Sequence, residues 1–241
     1  MSLNRPTLVL NGAETRFQVV LGTKDDLLFA EEMRAPNRGM TYLPLALQRC
    51  FEASGYAPRD LSGIACVRGP GAFTGLRIVL SMAIGLARGA RLPMAGLDYL
   101  PLLAALPASF LTGELWVATY ARMSMVYLQG FSCPDGSPLS DPQALFEEHA
   151  VEQLAQREVS TTLLGSGLNR NPDLWRERLP EATVLGRIWQ NPSSQALLDQ
   201  AVKTKLSHEP IEPLYLRASD AEANLAQIAA KRGFDLNTAK E

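Results

Sequence analysis

Two stretches of this 241-residue chain carry the same order of signals: short extended runs broken by turn residues, then an alternation of helical and extended periodicity. In the first, runs at 7–10, 17–21 and 27–33 are separated by Asn11-Gly12 and by a turn at 22–26. Leu43, Leu47, Cys50 and Phe51 then fall at helical spacing and stop near Gly55. A strand at 64–67, a glycine-rich loop, a helix over about 74–88 and a short strand near Met94 follow. The second stretch begins again with a hairpin, 115–120 and 125–131, turning near Arg122. After the Pro/Gly/Ser-rich loop "SCPDGSPLSDP" it reads as a helix from Pro142, a strand at 161–164, a short helix near Trp175, a strand at 183–185 and a helix from Asn191. Such a repeated rhythm predicts an α/β fold of two related subdomains, residues 1–108 and 109–216. The tail, 217–241, reads as a helix capped by Ser219 that packs back on the first subdomain.

Composition narrows the function classes. With 46% apolar residues, 23 Lys+Arg against 25 Asp+Glu and a net charge of -2, the chain has a core-forming composition and no overall charge for holding a polyanion unaided. Cys50, Cys66 and Cys133 are far apart and odd in number, which fits a reducing compartment and no disulfide framework. The opening apolar run is too short for a signal-peptide core, and the apolar region 92–111 is broken by Asp98 and by prolines 93, 101 and 107. The expectation is a cytoplasmic protein without a membrane span.

The segment "VRGPGAFTGLRIVLSMAIGLARGA", residues 67–90, admits two readings. Gly69, Pro70 and Gly71 make a turn in front of a helix N-terminus, where unpaired N–H groups favour an anion. On that reading Arg68, Gly69, Gly71, Thr74 and Arg77 form an anion- or nucleotide-facing loop. The specific phosphate signatures fail, because no Gly-Lys-Ser/Thr is present and Thr74 stands where a G-x-G-x-x-G frame needs glycine. Arg68 and Arg77 are compatible with ordering the loop, pairing with a partner carboxylate or facing an anion. In the helix, Leu76, Val79, Leu80, Ala83, Ile84 and Ala87 make one apolar stripe. Gly75, Ile78, Met82, Gly85 and Gly89 make a second, and internal glycines cost ~1 kcal/mol each relative to alanine. That second face is expected to lie against something at close range, either the chain's own core or a protein partner.

"RGPGAFTGLRIVLSMAIGLA" resembles the signature segment of the TsaB (YeaZ) family, and "YLPLALQRCFEASG", "YARMSMVYLQGF" and "EPLYLR" resemble its first helix, second hairpin and C-terminal signature. The resemblance implies an actin-like ATPase-type fold of two α/β subdomains. It also implies a non-catalytic scaffold that activates a catalytic homologue of TsaD type for threonylcarbamoyl transfer to the adenosine beside the tRNA anticodon. Implied further partners are an ATPase subunit of TsaE type, tRNA through the complex, and a homodimer when the chain is alone. No cofactor is implied for the chain alone, with ATP or ADP admitted only at the complex interface. Leu43, Leu47, Gly75, Ile78, Met82 and Gly85 are the residues expected near the partner. Two positions depart from the family: Asn11-Gly12-Ala13 stands for its Asp-Thr-Ser, and Tyr120-Ala121-Arg122 for its Asp-Ala-Arg.

Independent chemistry finds little support in the residues. The first-helix region lacks histidine, and His149 and His208 lie in separate polar segments without a second ligand nearby. "LGSGL" around Ser166 lacks the outer glycines of a nucleophile elbow. Adjacent acidic pairs at 25/26, 31/32 and 147/148 point to different sides of their elements and read as solvated surface. The competing class is a free-standing enzyme of the same fold, an ATP-dependent kinase or a metallopeptidase.

Overall fold

The computed structural model describes residues 5–35 and 38–217. Its first lobe contains β1 (Thr7–Asn11), β2 (Arg16–Gly22), β3 (Leu27–Arg34), α1 (Gly39–Ser54), β4 (Gly63–Gly69), α2 (Phe73–Ala90), β5 (Met94–Asp98) and α3 (Tyr99–Ala108). The second contains β6 (Gly113–Arg122), β7 (Met125–Cys133), β8 (Gln143–Phe146), α4 (Glu147–Ala155), β9 (Thr161–Leu164), α5 (Pro172–Arg178) and β10 (Thr183–Val184), and α6 (Ser194–Lys203) follows. The sheets run β3-β2-β1-β4-β5 and β8-β7-β6-β9-β10. In each, the opening strand sits centrally, antiparallel to the second and parallel to the fourth. This duplicated topology gives the two related α/β units expected from the repeated rhythm, in the actin-like arrangement that the family resemblance implies.

Burial follows strand position. Every residue of β1 is buried, because helices cover both faces of the sheet there, and its sequence is accordingly a continuous "TLVLN" without alternation. β3 is an edge strand, and Glu31, Glu32 and Arg34 blunt its free hydrogen-bonding side. α1 packs on β2 and β3, and α2 on β4 and β1, while α6 reaches β1 and β2 and touches α3. The first sheet is therefore a filled sandwich with α1 and α2 on one side and α3 and α6 on the other.

Three elements differ from the sequence reading. α3 is a helix although it contains Pro101 and Pro107; Pro101 lies in the first turn, where no intrahelical N–H is required, and Pro107 sits at the end. The segment after Pro142 first pairs with β7 as β8, and the helix begins only at Glu147. The return to the first lobe also starts well before residue 217. α6 buries Leu197, Leu198 and Ala201 in the first lobe's core, and Ser207 bridges to Met94. Residues 109–216 thus do not form one second lobe, because the apolar face of α6 finds its cover on the first sheet. The expected tail helix with its Ser219 cap lies outside the described residues.

Candidate partner-docking face

The two sides of α2 have different surroundings. Leu76, Val79 and Ala83 are fully buried against the sheet, and a Cβ on Gly75 would stand 2.1 Å from the Gly12 carbonyl oxygen. On the other side Ile78 and Met82 are half-exposed, Gly85 is exposed, and nothing lies within 4 Å of a Cβ built on Gly85. Ile78, Met82 and Leu86 from α2 and Met40 and Pro44 from α1 line an open groove of about 700 Å³ with Gly85. Met40 is 77% exposed at its edge. An exposed apolar groove between two helices of the same face is suited to receive another polypeptide.

This geometry corrects part of the expected set. Leu43 (0% exposed) and Leu47 (4%) point from α1 into the core, and Gly75 is sealed by the first hairpin. Side chains without surface cannot touch a partner, so the face is carried by Ile78, Met82 and Gly85, with Met40, Pro44 and Leu86 added. Helical periodicity finds two stripes but does not say which turns inward. The proximity of Gly12 settles that for Gly75.

The loop ahead of α2 is occupied by contacts within the chain. A Cβ on Gly71 would meet the Ala13 carbonyl oxygen at 2.2 Å, and Ala72 N–H donates to that oxygen at 2.6 Å. Gly69 has φ +132° and lies against Leu214, whose N–H donates to the Arg68 carbonyl at 2.9 Å; a β-carbon there is excluded by both conformation and space. Arg68 pairs with Asp98, Nε to Oδ1 2.6 Å, and this partner raises its already high pKa. Arg77 lies 3.7 Å over the Phe73 ring and its Nε donates to the Tyr215 hydroxyl at 3.4 Å. Thr74 is exposed. Of the three roles open to the arginines, both are seen ordering the loop and its neighbours.

Between the lobes, where the two hairpins approach, a polar clasp is present that sequence reasoning missed. Ser166 Oγ and the Tyr99 hydroxyl donate to opposite oxygens of Glu14, the latter at 3.2 Å, and Tyr120 N–H donates to Ser166 Oγ at 3.0 Å. Burial pushes the Glu14 carboxyl above its ordinary value, outweighing the two hydrogen bonds that favour the anion. Burial, reinforced by Glu14, likewise holds the Tyr99 phenol neutral. Asn11 donates to Gln18 Oε1 at 2.7 Å and accepts from Ala13 N–H at 3.0 Å, and Gln18 donates to the Pro192 carbonyl at 2.9 Å. A neutral amide here fixes the turn and ties it to the chain before α6. The sequence marked the Asn11-Gly12 turn but gave no signal for Glu14. Ser166 opens a 3-10 turn after β9, and His149 packs its ring edgewise on Phe146. Among the described residues, no group of three His, Cys, Asp or Glu side chains converges as a metal site.

The chain is similar to known proteins in sequence and in fold. The chain is 32% identical over 183 residues, 73% of its length, to the tRNA threonylcarbamoyladenosine biosynthesis protein TsaB of Escherichia coli, and covers 78% of that protein. The chain belongs to the TsaB family. The Bacillus subtilis TsaB of the same description is 26% identical over 207 residues, 83% of this chain and 89% of that protein. The family model described as TsaD, tRNA N6-adenosine threonylcarbamoyltransferase, matches residues 40–132, the stretch holding α1 and α2. A solved structure from Pseudomonas aeruginosa, described as an uncharacterized protein with similarity to peptidase YeaZ, superposes with TM-score 0.72 at 24% identity, covering 88% of this chain and 99% of that one. By length and composition α2 could cross a membrane, but in this TsaB-family chain its Leu76, Val79 and Ala83 side is the core of the first lobe.

Proposed function

We propose that this chain serves tRNA threonylcarbamoyladenosine formation in the cytoplasm as a non-catalytic subunit that docks a TsaD-type catalytic homologue on the α1–α2 face. The observation that carries the reading is the groove itself: an apolar trough lying on the segment that matches the TsaD family model, floored by a glycine that no other described residue approaches. Family membership supplies the pathway, and the same TsaD match supports a partner of related fold, so helix-on-helix pairing follows from shared geometry. In this reading an ATPase of TsaE type and tRNA join through the complex, and ATP or ADP enters only at the joint between subunits. Alone, the groove pairs with a second copy about a two-fold axis.

The test is Gly85→Arg, which places a long cation in the groove where no described residue lies within 4 Å of its β-carbon. The folded variant is expected to lose at least ~30-fold in affinity for the catalytic homologue, the size of a central interface residue. Binding at wild-type strength in a calorimetric titration overturns the docking reading. The competing enzyme reading is tested with the chain alone, where stoichiometric metal, ATP turnover or peptide cleavage would support it over the scaffold.

A further inference from the structure

The α1–α2 groove is apolar except at one end. Met40, Pro44, Ile78, Met82 and Leu86 give it uncharged walls, and the one ionised side chain among its lining residues is Arg77, a single turn past Phe73 at the start of α2. That guanidinium is held from one side. It lies 3.7 Å over the Phe73 ring, its Nε donates to the Tyr215 hydroxyl at 3.4 Å, and Tyr215 packs on Phe73 with ring centroids 5.0 Å apart. These contacts use one ring-facing plane and one N–H. Arg16, Arg49, Arg68 and Arg157 each pair with a carboxylate, whereas exposed Arg77 pairs with none among the described residues, and no described acceptor bonds its Nη1 or Nη2. The planar fork of an arginine matches a carboxylate, and one already ordered by aromatic neighbours loses less freedom on pairing. Arginine at the border of an apolar contact is a recurrent anchor of protein interfaces.

The same residue treats the two occupants of the groove differently. A two-fold pairing sets one patch against its own copy. No residue lining the groove is Asp or Glu, so a second copy brings another Arg77 and no carboxylate from that patch. Glu52, near the far end of α1, lies ~18 Å along the helix axis from Met40 and accepts from Gln48 Nε2 at 2.7 Å. Self-pairing therefore dehydrates the guanidinium without a partner for its Nη groups, a cost that a partner with a suitably placed acid does not bear.

We propose that Arg77 selects the catalytic homologue over a second copy, pairing through its Nη groups with a carboxylate that the homologue presents beside an apolar helix face. The proposal rests on the docking reading above and adds its specificity: the trough accepts either occupant, and the guanidinium at its head decides between them.

The experiment compares full-length wild type with Arg77→Leu in two measurements, a calorimetric titration against the TsaD-type homologue and sedimentation equilibrium of the chain alone. Affinity for the homologue is expected to fall at least ~10-fold, as for loss of a charge-assisted pair, while self-association stays the same or tightens. Equal weakening of both would mean that Arg77 only shapes its loop, and unchanged affinity for the homologue would mean that no carboxylate meets it; either result overturns the proposal. Raising NaCl from ~0.05 to ~0.5 M is expected to weaken the wild-type complex more steeply than the Arg77→Leu complex, and equal slopes overturn it as well. Tyr215→Phe keeps the ring on Phe73 but removes the hydroxyl that orients Nε. It is expected to cost the complex with the homologue about threefold and self-association nothing, and equal losses again count against selection. Gly85→Arg separates the two ideas. If it binds the homologue at full strength the docking reading fails, whereas if it blocks binding and Arg77→Leu binds as wild type does, only the selection by Arg77 fails.

Discussion

Gly75 and Gly85 stand ten residues apart on one helix and answer opposite demands. At Gly75 the missing side chain lets a helix and a hairpin bring their backbones together, with 2.1 Å left for a β-carbon beside the Gly12 carbonyl oxygen. At Gly85 the missing side chain leaves open space on a surface rimmed by Met82 and Leu86. The first glycine is required by the fold, and the second costs the helix stability without any return from the other described residues. The difference teaches that a glycine stripe on a helix is two statements, and that only the neighbours tell them apart.

The contrast breaks most sharply at the inner position. Gly75→Ala is expected to lower unfolding free energy by about 1–3 kcal/mol, because backbone must shift to admit the methyl group; a denaturant midpoint equal to wild type would place Gly75 in open space as well. The inner side is also where the clasp holds its hairpin, and its pH response is next in size. With the folded-state pKa of Glu14 raised by burial, its contribution to stability is fully present below the unfolded carboxyl value and is lost as pH rises through the raised one. Glu14→Gln, neutral at every pH, is expected to flatten this part of the stability profile above pH ~4.5, the unfolded carboxyl range. An unchanged profile in pH-dependent thermal melting would show Glu14 to be solvated. The smallest effect belongs to Gly85→Ala, expected to stabilise the chain by up to ~1 kcal/mol. Destabilisation there would mean that something of the chain's own already packs on the outer side.

Much of the architecture was legible because its punctuation is strong. Asn11-Gly12 and the turn at Arg122 open the two hairpins, and the runs after them change period cleanly. α3 escaped because Pro101 and Pro107 read as breakers, although a proline in the first turn of a helix removes no bond. β8 escaped because four residues beside a proline carry too little alternation to separate them from the helix that follows. At the site, periodicity found both stripes of α2, and Ile78, Met82 and Gly85 do face outward. The same pattern misassigned Leu43, Leu47 and Gly75, whose burial depends on the sheet beneath α1 and on the Gly12 turn, contacts made far away in sequence. Glu14 left no pattern at all, since its partners Tyr99 and Ser166 lie 85 and 152 residues away.

The crossing contacts have a mechanical consequence. Glu14 bolts the halves at their waist, Leu197 and Leu198 of α6 anchor the returning chain in the first sheet's core, and the Tyr215 strap runs over the head of α2. Parting the halves would break the Glu14–Ser166 contact and pull α3 from β6 and β7, while α6 and the Tyr215 strap stay with the first lobe, so hinge-like gaping of the kind that lets a two-lobed enzyme swallow its substrate is opposed. What a neighbour meets is a wedge whose shape is set beforehand, and the entropy lost on association falls mainly on the neighbour's side.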